Sequence, residues 1–215
     1  MIDLTNMIHT GMIKAQKDYI SWTEMGIGHS AEYLIVANIA QVIANEKYIN
    51  NIRYIYVEQS IKELAEKDEL TNNSKLRNGR CDICIEDDKG YVIIEVKNTL
   101  TSKGKKYDSI ILDIERIEIF LKNNYSIEQS YICFLNANYI NDKVDSDENR
   151  KDIINKLHTR LSEFKKDITT KFKNLKFSFK EKDFIEKNLE NSINVDAKKI
   201  WGWQSIVVEI QLKDI

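Results

Sequence analysis

Asp82, Glu95 and Lys97 are the residues of this chain whose types and spacing could do chemistry together. They belong to two apolar segments, Cys81 to Glu86 (CDICIE) and Tyr91 to Lys97 (YVIIEVK), separated by Asp87-Asp88-Lys89-Gly90. β-Branched residues on either side of an Asp/Gly-rich tetrapeptide predict a β-hairpin with a tight turn. If residues 87 and 90 face each other, the register puts Asp82 opposite Glu95, with Lys97 on the same face. The same register sets Cys81 against Val96, Ile83 against Ile94 and Ile85 against Val92, an unbroken apolar face on the other side. A slip of one residue would break both patterns at once.

Two carboxylates facing each other repel by about 4 kcal/mol at about 4 Å in an effective dielectric near 20. Three things could offset that cost: a proton on one acid, partial neutralisation by Lys97, or a hard divalent cation bridging the oxygens. Mg²⁺ typically takes one or two carboxylates together with phosphate and water, so the third option predicts phosphodiester chemistry. Glu32 is a candidate third acid. It falls in the first turn of a helix and shares a face with Ile35, Val36, Ile39 and Ile43. An acid on an apolar face either serves a site or compensates the helix dipole while reaching water, and both readings stay open.

These residues need a scaffold, and the hydrophobic periodicity supplies one. Helices are predicted over Leu4 to Thr23 and, after a turn at Gly26-Ile27-Gly28, over Ser30 to Glu46 with Ser30 as N-cap. A strand over Ile52 to Val57 is followed by a short helix, Ser60 to Lys67, and a polar loop, Thr71 to Gly79. Beyond the hairpin come a helix over Tyr107 to Lys122, with Ile110, Ile111, Ile114, Ile117 and Leu121 at helical spacing, and a buried strand, Tyr131 to Leu135. A polar loop (Asp142 to Asn149), a long helix (Glu148 to Phe172), a strand (Leu175 to Phe179), a helix (Asp183 to Leu189) and a strand (Ser205 to Leu212) complete the order. The pattern is α/β, a central mixed β-sheet flanked by helices. At 215 residues the whole chain, 1–215, fits a single domain, and no repeat or linker divides it.

Asp82, twelve residues, then Glu95-Val96-Lys97 resembles the D-x(n)-(D/E)-x-K core of the PD-(D/E)xK nuclease superfamily. Gly28-His29-Ser30-Ala31-Glu32 before an apolar helix resembles the helix-borne Glu of many members. Cys81 stands where the pattern has Pro. The resemblance covers roughly residues 26 to 135 and implies a restriction-endonuclease-like core. It further implies that Asp82 and Glu95 hold Mg²⁺, with Mn²⁺ as a substitute and the Val96 carbonyl as a further ligand. Lys97 would orient or activate the attacking water, and Glu32 would assist the metal site. The activity implied is endonucleolytic, of restriction, defence or repair type, with DNA as the preferred partner. Double-strand cutting by one small domain would call for a homodimer.

Lys97 to Lys106 carries four Lys and no acid, so Lys103, Lys105 and Lys106, with Arg80, are candidate phosphate contacts. Glu58, at the end of a strand, and His29, beside the Glu32 helix, are weaker candidates for the site. Lys165 to Lys182 is also Lys-rich, yet such runs are usually solvated faces, and Phe172, Phe177 and Phe179 within it read as core. Cys81 and Cys84 match C-x-x-C, but a separation of three on a strand directs the sulfurs to opposite faces, so packing thiols are expected rather than zinc ligands. Trp201-Gly202-Trp203 reads as aromatic packing before the last strand.

A net charge of -2 excludes a histone-like nucleic-acid coat, so any such contact must be local. Three cysteines and the lack of a signal peptide or an apolar run of spanning length point to a cytoplasmic protein with no membrane contact. Abundant Lys, Asn and Ile with no Pro point to an AT-rich prokaryotic or phage gene. Two alternatives share the same residues: a catalytically silent nucleic-acid-binding or assembly subunit in which Lys97 is a static partner of Glu95, and an RNA-directed nuclease.

Overall fold

The computed structural model describes residues 3–23, 32–47, 51–60, 63, 79–123, 127, 129–141, 146–186 and 199–213. The elements, in chain order, are α1 (Leu4–Thr23), α2 (Glu32–Asn45), β1 (Tyr54–Ser60), β2 (Arg80–Glu86), β3 (Tyr91–Lys97) and α3 (Lys105–Asn123). They continue with β4 (Ser130–Asn141), α4 (Asp147–Lys171), β5 (Leu175–Glu186) and β6 (Lys199–Leu212). The expected Gly26–Gly28 turn, Ser30 N-cap and His29 lie outside the described residues. So do most of the Ser60–Lys67 helix and the Thr71–Gly79 loop.

The strands form one six-stranded sheet in the order β1-β2-β3-β4-β6-β5. Among the described strands only β3 and β4 run parallel, because α3 carries the chain from one end of β3 back to the start of β4; the other neighbours described are antiparallel. The sheet is therefore mixed, with helices on both faces. Alternation along the strands divides the core. Tyr131, Cys133 and Leu135 pack with α1 and α2 on one face, whereas Ile132 and Phe134 pack with α3 and α4 on the other.

The hairpin turn forms as its composition requires. Asp87 N–H donates to the Gly90 carbonyl, and the Asp87 carboxylate accepts from the amides of Lys89 (2.7 Å) and Gly90 (3.1 Å). Gly90, at φ 143°, occupies backbone space that side chains rarely enter. The turn sets the expected register: Glu86 pairs with Tyr91, Ile85 with Val92 and Ile83 with Ile94.

Two expectations are corrected on the other side of the sheet. Asp183 to Glu186 continue β5 and are not helical, and Trp201 to Trp203 lie within β6 rather than before it. The reason is tertiary. β4 runs on to Asn141 and pairs with β6 all the way back to Lys199, which gives β5 a long template, and Phe184 stacks on the buried Trp203 ring at 4.1 Å. Cross-strand packing overrides the local helical pattern of charges. The Lys-rich segment behaves as a solvated face over core aromatics: Lys165 pairs with Glu181 and Lys171 with Glu115, while Phe172, Phe177 and Phe179 join the α3/α4 core.

α1 and α2 approach closely at Gly11, where a Cβ would lie 2.5 Å from Ile39 Cα and 2.7 Å from Ile39 N. Since these are backbone atoms, a side chain can be accommodated only by moving α2, the helix that carries Glu32. Gly-to-Ala in an unconstrained helix interior stabilises by about 1 kcal/mol. Here overpacking of about 1–3 kcal/mol outweighs that gain. Gly11→Ala is expected to lower the melting temperature in a thermal scan; a rise would show that the helices do not pack backbone to backbone.

Candidate active site

β2 and β3 stop pairing at Ile83 and Ile94, one residue short of the acids. There the Asp82 Oδ2 accepts from the Val96 N–H at 2.6 Å, so a side chain takes over from the backbone ladder and the two strands part. Lys97, at the end of β3, reaches into the gap. Its Nζ lies 2.9 Å from Asp113 Oδ2, 3.6 Å from Glu32 Oε1 and 3.9 Å from Asp82 Oδ2, and it donates to the Val96 carbonyl at 3.1 Å. Asp82, Glu95, Lys97 and Glu32 are thus brought to one locus, as expected.

Asp113 and Arg116, both on α3, complete the cluster and were not anticipated. The Arg116 guanidinium is 3.0 Å from Glu95 Oε1 and also bonds Asp113, its neighbour one helical turn back. Glu95 is 2% exposed and Asp113 5%, whereas the Glu32 side chain, at 37%, opens the cluster to solvent. Asp113 had a legible signal: it shares the buried face of α3 with Ile110, Ile114 and Ile117. An acid on that stripe requires a cationic partner.

Among the described residues four carboxyls thus face two cations, which leaves a formal surplus of two negative charges when all are ionised. Burial raises the Glu95 pKa well above the carboxylate range; Asp113 adds to this, and Arg116 opposes it. Asp82 and Glu32 are raised too, chiefly by burial and against the pull of Lys97. For Lys97, burial works to lower the pKa, but Asp113, Asp82 and Glu32 together outweigh it and drive the pKa up. The amine stays an ammonium.

The remaining candidates fall around this cluster. Lys103, Lys105 and Lys106 are exposed, on the β3–α3 connection and the first turn of α3, and have no ion pair among the described residues. Arg80 is exposed at the start of β2. Glu58, half-buried on edge strand β1, occupies the register position facing Asp82, where pairing is interrupted between Val57–Ile83 and Gln59–Cys81. Its backbone is left-handed there (φ 56°), a conformation that costs a non-glycine residue about 1–3 kcal/mol.

The same irregularity corrects the reading of Cys81. Cys81 and Cys84 lie in one core cluster on the α3 side, not on opposite faces, and the apolar face of the hairpin loses Cys81. The hydrogen bond with Cys84, with burial, pushes the Cys81 thiol up. Both are buried free thiols. Among the described residues no group of three His, Cys, Asp or Glu side chains forms a ready-made metal cage. Around the acids the reason is visible: Lys97 and Arg116 thread between them.

The shift at Glu95 fixes a pH dependence. A carboxyl whose folded pKa lies above its unfolded value binds more protons in the folded state. Its contribution is therefore lost as pH rises from about 4.3, the ordinary value for Glu, through the raised one. In EDTA, Glu95→Gln should flatten this slope and raise the melting temperature at pH 8, by about 2–4 °C for each kcal/mol relieved. Equal melting of variant and parent at pH 5 and at pH 8 would show that Glu95 is not a strained acid.

No protein-family model matches the sequence, no curated protein matches it, and no solved structure matches the fold.

Proposed function

We propose that the chain is a Mg²⁺-dependent nuclease with a restriction-endonuclease-like core, hydrolysing phosphodiester bonds of DNA as an endonuclease. One observation carries this reading: Asp82 and Glu95 from parting strands, Lys97 from the end of β3 and Glu32 from α2 meet at one place. Once all four carboxyls are ionised, the surplus of two negative charges on hard oxygen donors fits a divalent cation in charge and chemistry.

Asp82 and Glu95 would hold the ion, with the Val96 carbonyl beside them. Glu95 would give up its proton and its Arg116 contact in doing so, so affinity rises with pH. When bound, the ion lowers the pKa of a coordinated water and offsets charge on the phosphate. Lys97, kept protonated by its three acids, serves as a hydrogen-bond donor and not as the base; it orients the attacking oxygen and stabilises the developing negative charge. Asp113 fixes the amine in place. Glu32, the most exposed acid and one with raised proton affinity, would accept the proton that the water loses.

A second reading has its own support, for Arg116 and Lys97 already neutralise the buried acids as salt bridges would in a catalytically silent nucleic-acid-binding subunit. Nicking of supercoiled plasmid separates the two. Mg²⁺ or Mn²⁺ should support cleavage and EDTA abolish it, and Asp82→Ala or Lys97→Ala should each reduce the rate by about 10²–10⁴-fold with the fold retained. DNA binding that is equal in EDTA, with no cleavage under any metal, would establish the silent subunit. Cleavage of RNA alone in a substrate panel would move the assignment to an RNA-directed nuclease.

A further inference from the structure

Arg160, on α4, is a cation held without an anion. Its Nη1 donates to the Asn136 side-chain oxygen (2.9 Å), the Ala137 carbonyl (3.0 Å) and, at 3.5 Å, the Leu100 carbonyl. All three acceptors are neutral. Among the described residues no carboxylate lies within ion-pairing distance of the guanidinium, and Nε and Nη2 have no bonding partner. Arg160 is half-buried, and burial lowers its pKa against a weaker opposing pull from Glu163. An uncompensated guanidinium is costly to bury, and the costs of desolvation are usually met by an opposing charge.

The acceptors also fix where this cation stands. Leu100 follows Lys97 by three residues, a stretch of chain that spans at most about 11 Å. The Leu100 N–H donates to the Leu135 carbonyl at 2.7 Å, which ties the connection after β3 to β4. Ala137 lies three residues beyond Phe134, the register partner of Lys97. The guanidinium therefore stands just past the last paired residues of β3 and β4, the one parallel pair among the described strands, on the carboxyl side where open α/β sheets bind ligands. Asn136, itself fully buried, donates to the Leu157 carbonyl and to Gln204, so the group that orients Arg160 is fixed in turn. Lys103, Lys105 and Lys106 continue the positive stretch along the connection, and among the described residues none of them, nor Arg160, is in an ion pair.

We propose that Arg160, with these lysines, forms a backbone-phosphate subsite that holds the nucleic-acid strand beside the scissile bond, Arg160 acting as a positioning residue through its free Nε/Nη2 edge. This rests on the nuclease reading above. Guanidinium suits the role because one nitrogen can stay bonded to carbonyls while the others grip a phosphate in two-point fashion.

The test compares the full-length parent with Arg160→Gln and Arg160→Lys, using fluorescently labelled duplex DNA in Ca²⁺ for affinity and Mg²⁺ for steady-state cleavage. Arg160→Gln should weaken binding about 10-fold, raise KM with little change in kcat, and reduce the slope of log K against log salt by about one. Arg160→Lys controls for folding. Its ammonium has three N–H donors, which the acceptors at Asn136, Ala137 and Leu100 take up, and it lacks a second nitrogen for a two-point grip, so it should restore the melting temperature without restoring KM. A purely structural role predicts the opposite, a Lys variant with parental KM and salt slope, and that result would overturn the subsite. If Arg160→Gln does not fold, the Lys variant alone decides. A parent protein that neither binds nor cuts nucleic acid would sink the nuclease reading itself, whereas an active parent with unaltered Arg160 variants would sink only the subsite.

Discussion

Everything distinctive about this molecule follows from one unfavourable arrangement, four carboxyl groups crowded where β2 and β3 part. Glu32, Asp82, Glu95 and Asp113 come from two strands and from helices on opposite faces of the sheet, so no single element can relieve their repulsion. Lys97 stands at the junction. Its ammonium reaches three of the acids, and the fourth, Glu95, is held by Arg116. Buried ion pairs of this kind are weak evidence for stability, because desolvation consumes most of the Coulombic gain. Burial raises the proton affinity of Glu95, Asp82 and Glu32, so the cluster holds its negative charge only against that tendency.

The rest of the fold can be understood as the means of holding these groups. A tight Asp87–Gly90 turn sets the register of the hairpin, and the Asp82 carboxylate, by taking the Val96 amide, opens the gap into which Lys97 reaches. α2 is pressed against α1 at Gly11 and delivers Glu32 from one face. From the other, the crossover that makes β3 and β4 parallel also brings in Asp113 and Arg116. Covering helices on both faces exclude water from Glu95 and Asp113, and this amplifies every charge interaction among them.

Local patterns made the hairpin legible. Its turn composition and two-residue alternation depend on neighbours in sequence, and Glu32 was marked by helical spacing alone. Asp113 was marked in the same way, as an acid on an apolar stripe, but the meaning of that mark depended on which strand α3 would cover. The ends of β4, β5 and β6 were hidden for a related reason: residues 183 to 186 carry a helical pattern of charges and become strand only because β6 offers them a partner. Cys81 was misplaced because strict alternation assumes an unbroken ladder, whereas the interruption at Asp82 and Glu58 turns it toward α3.

The most direct test of the cluster is a crystal structure of the protein soaked in Mn²⁺, read by anomalous diffraction. A peak bound by oxygens of Asp82 and Glu95 at about 2.0–2.2 Å, with Arg116 displaced from Glu95, is the result expected. An empty map around these acids at saturating Mn²⁺, with the Arg116–Glu95 pair intact, would show that the cluster is neutralised from within and has no need of a cation.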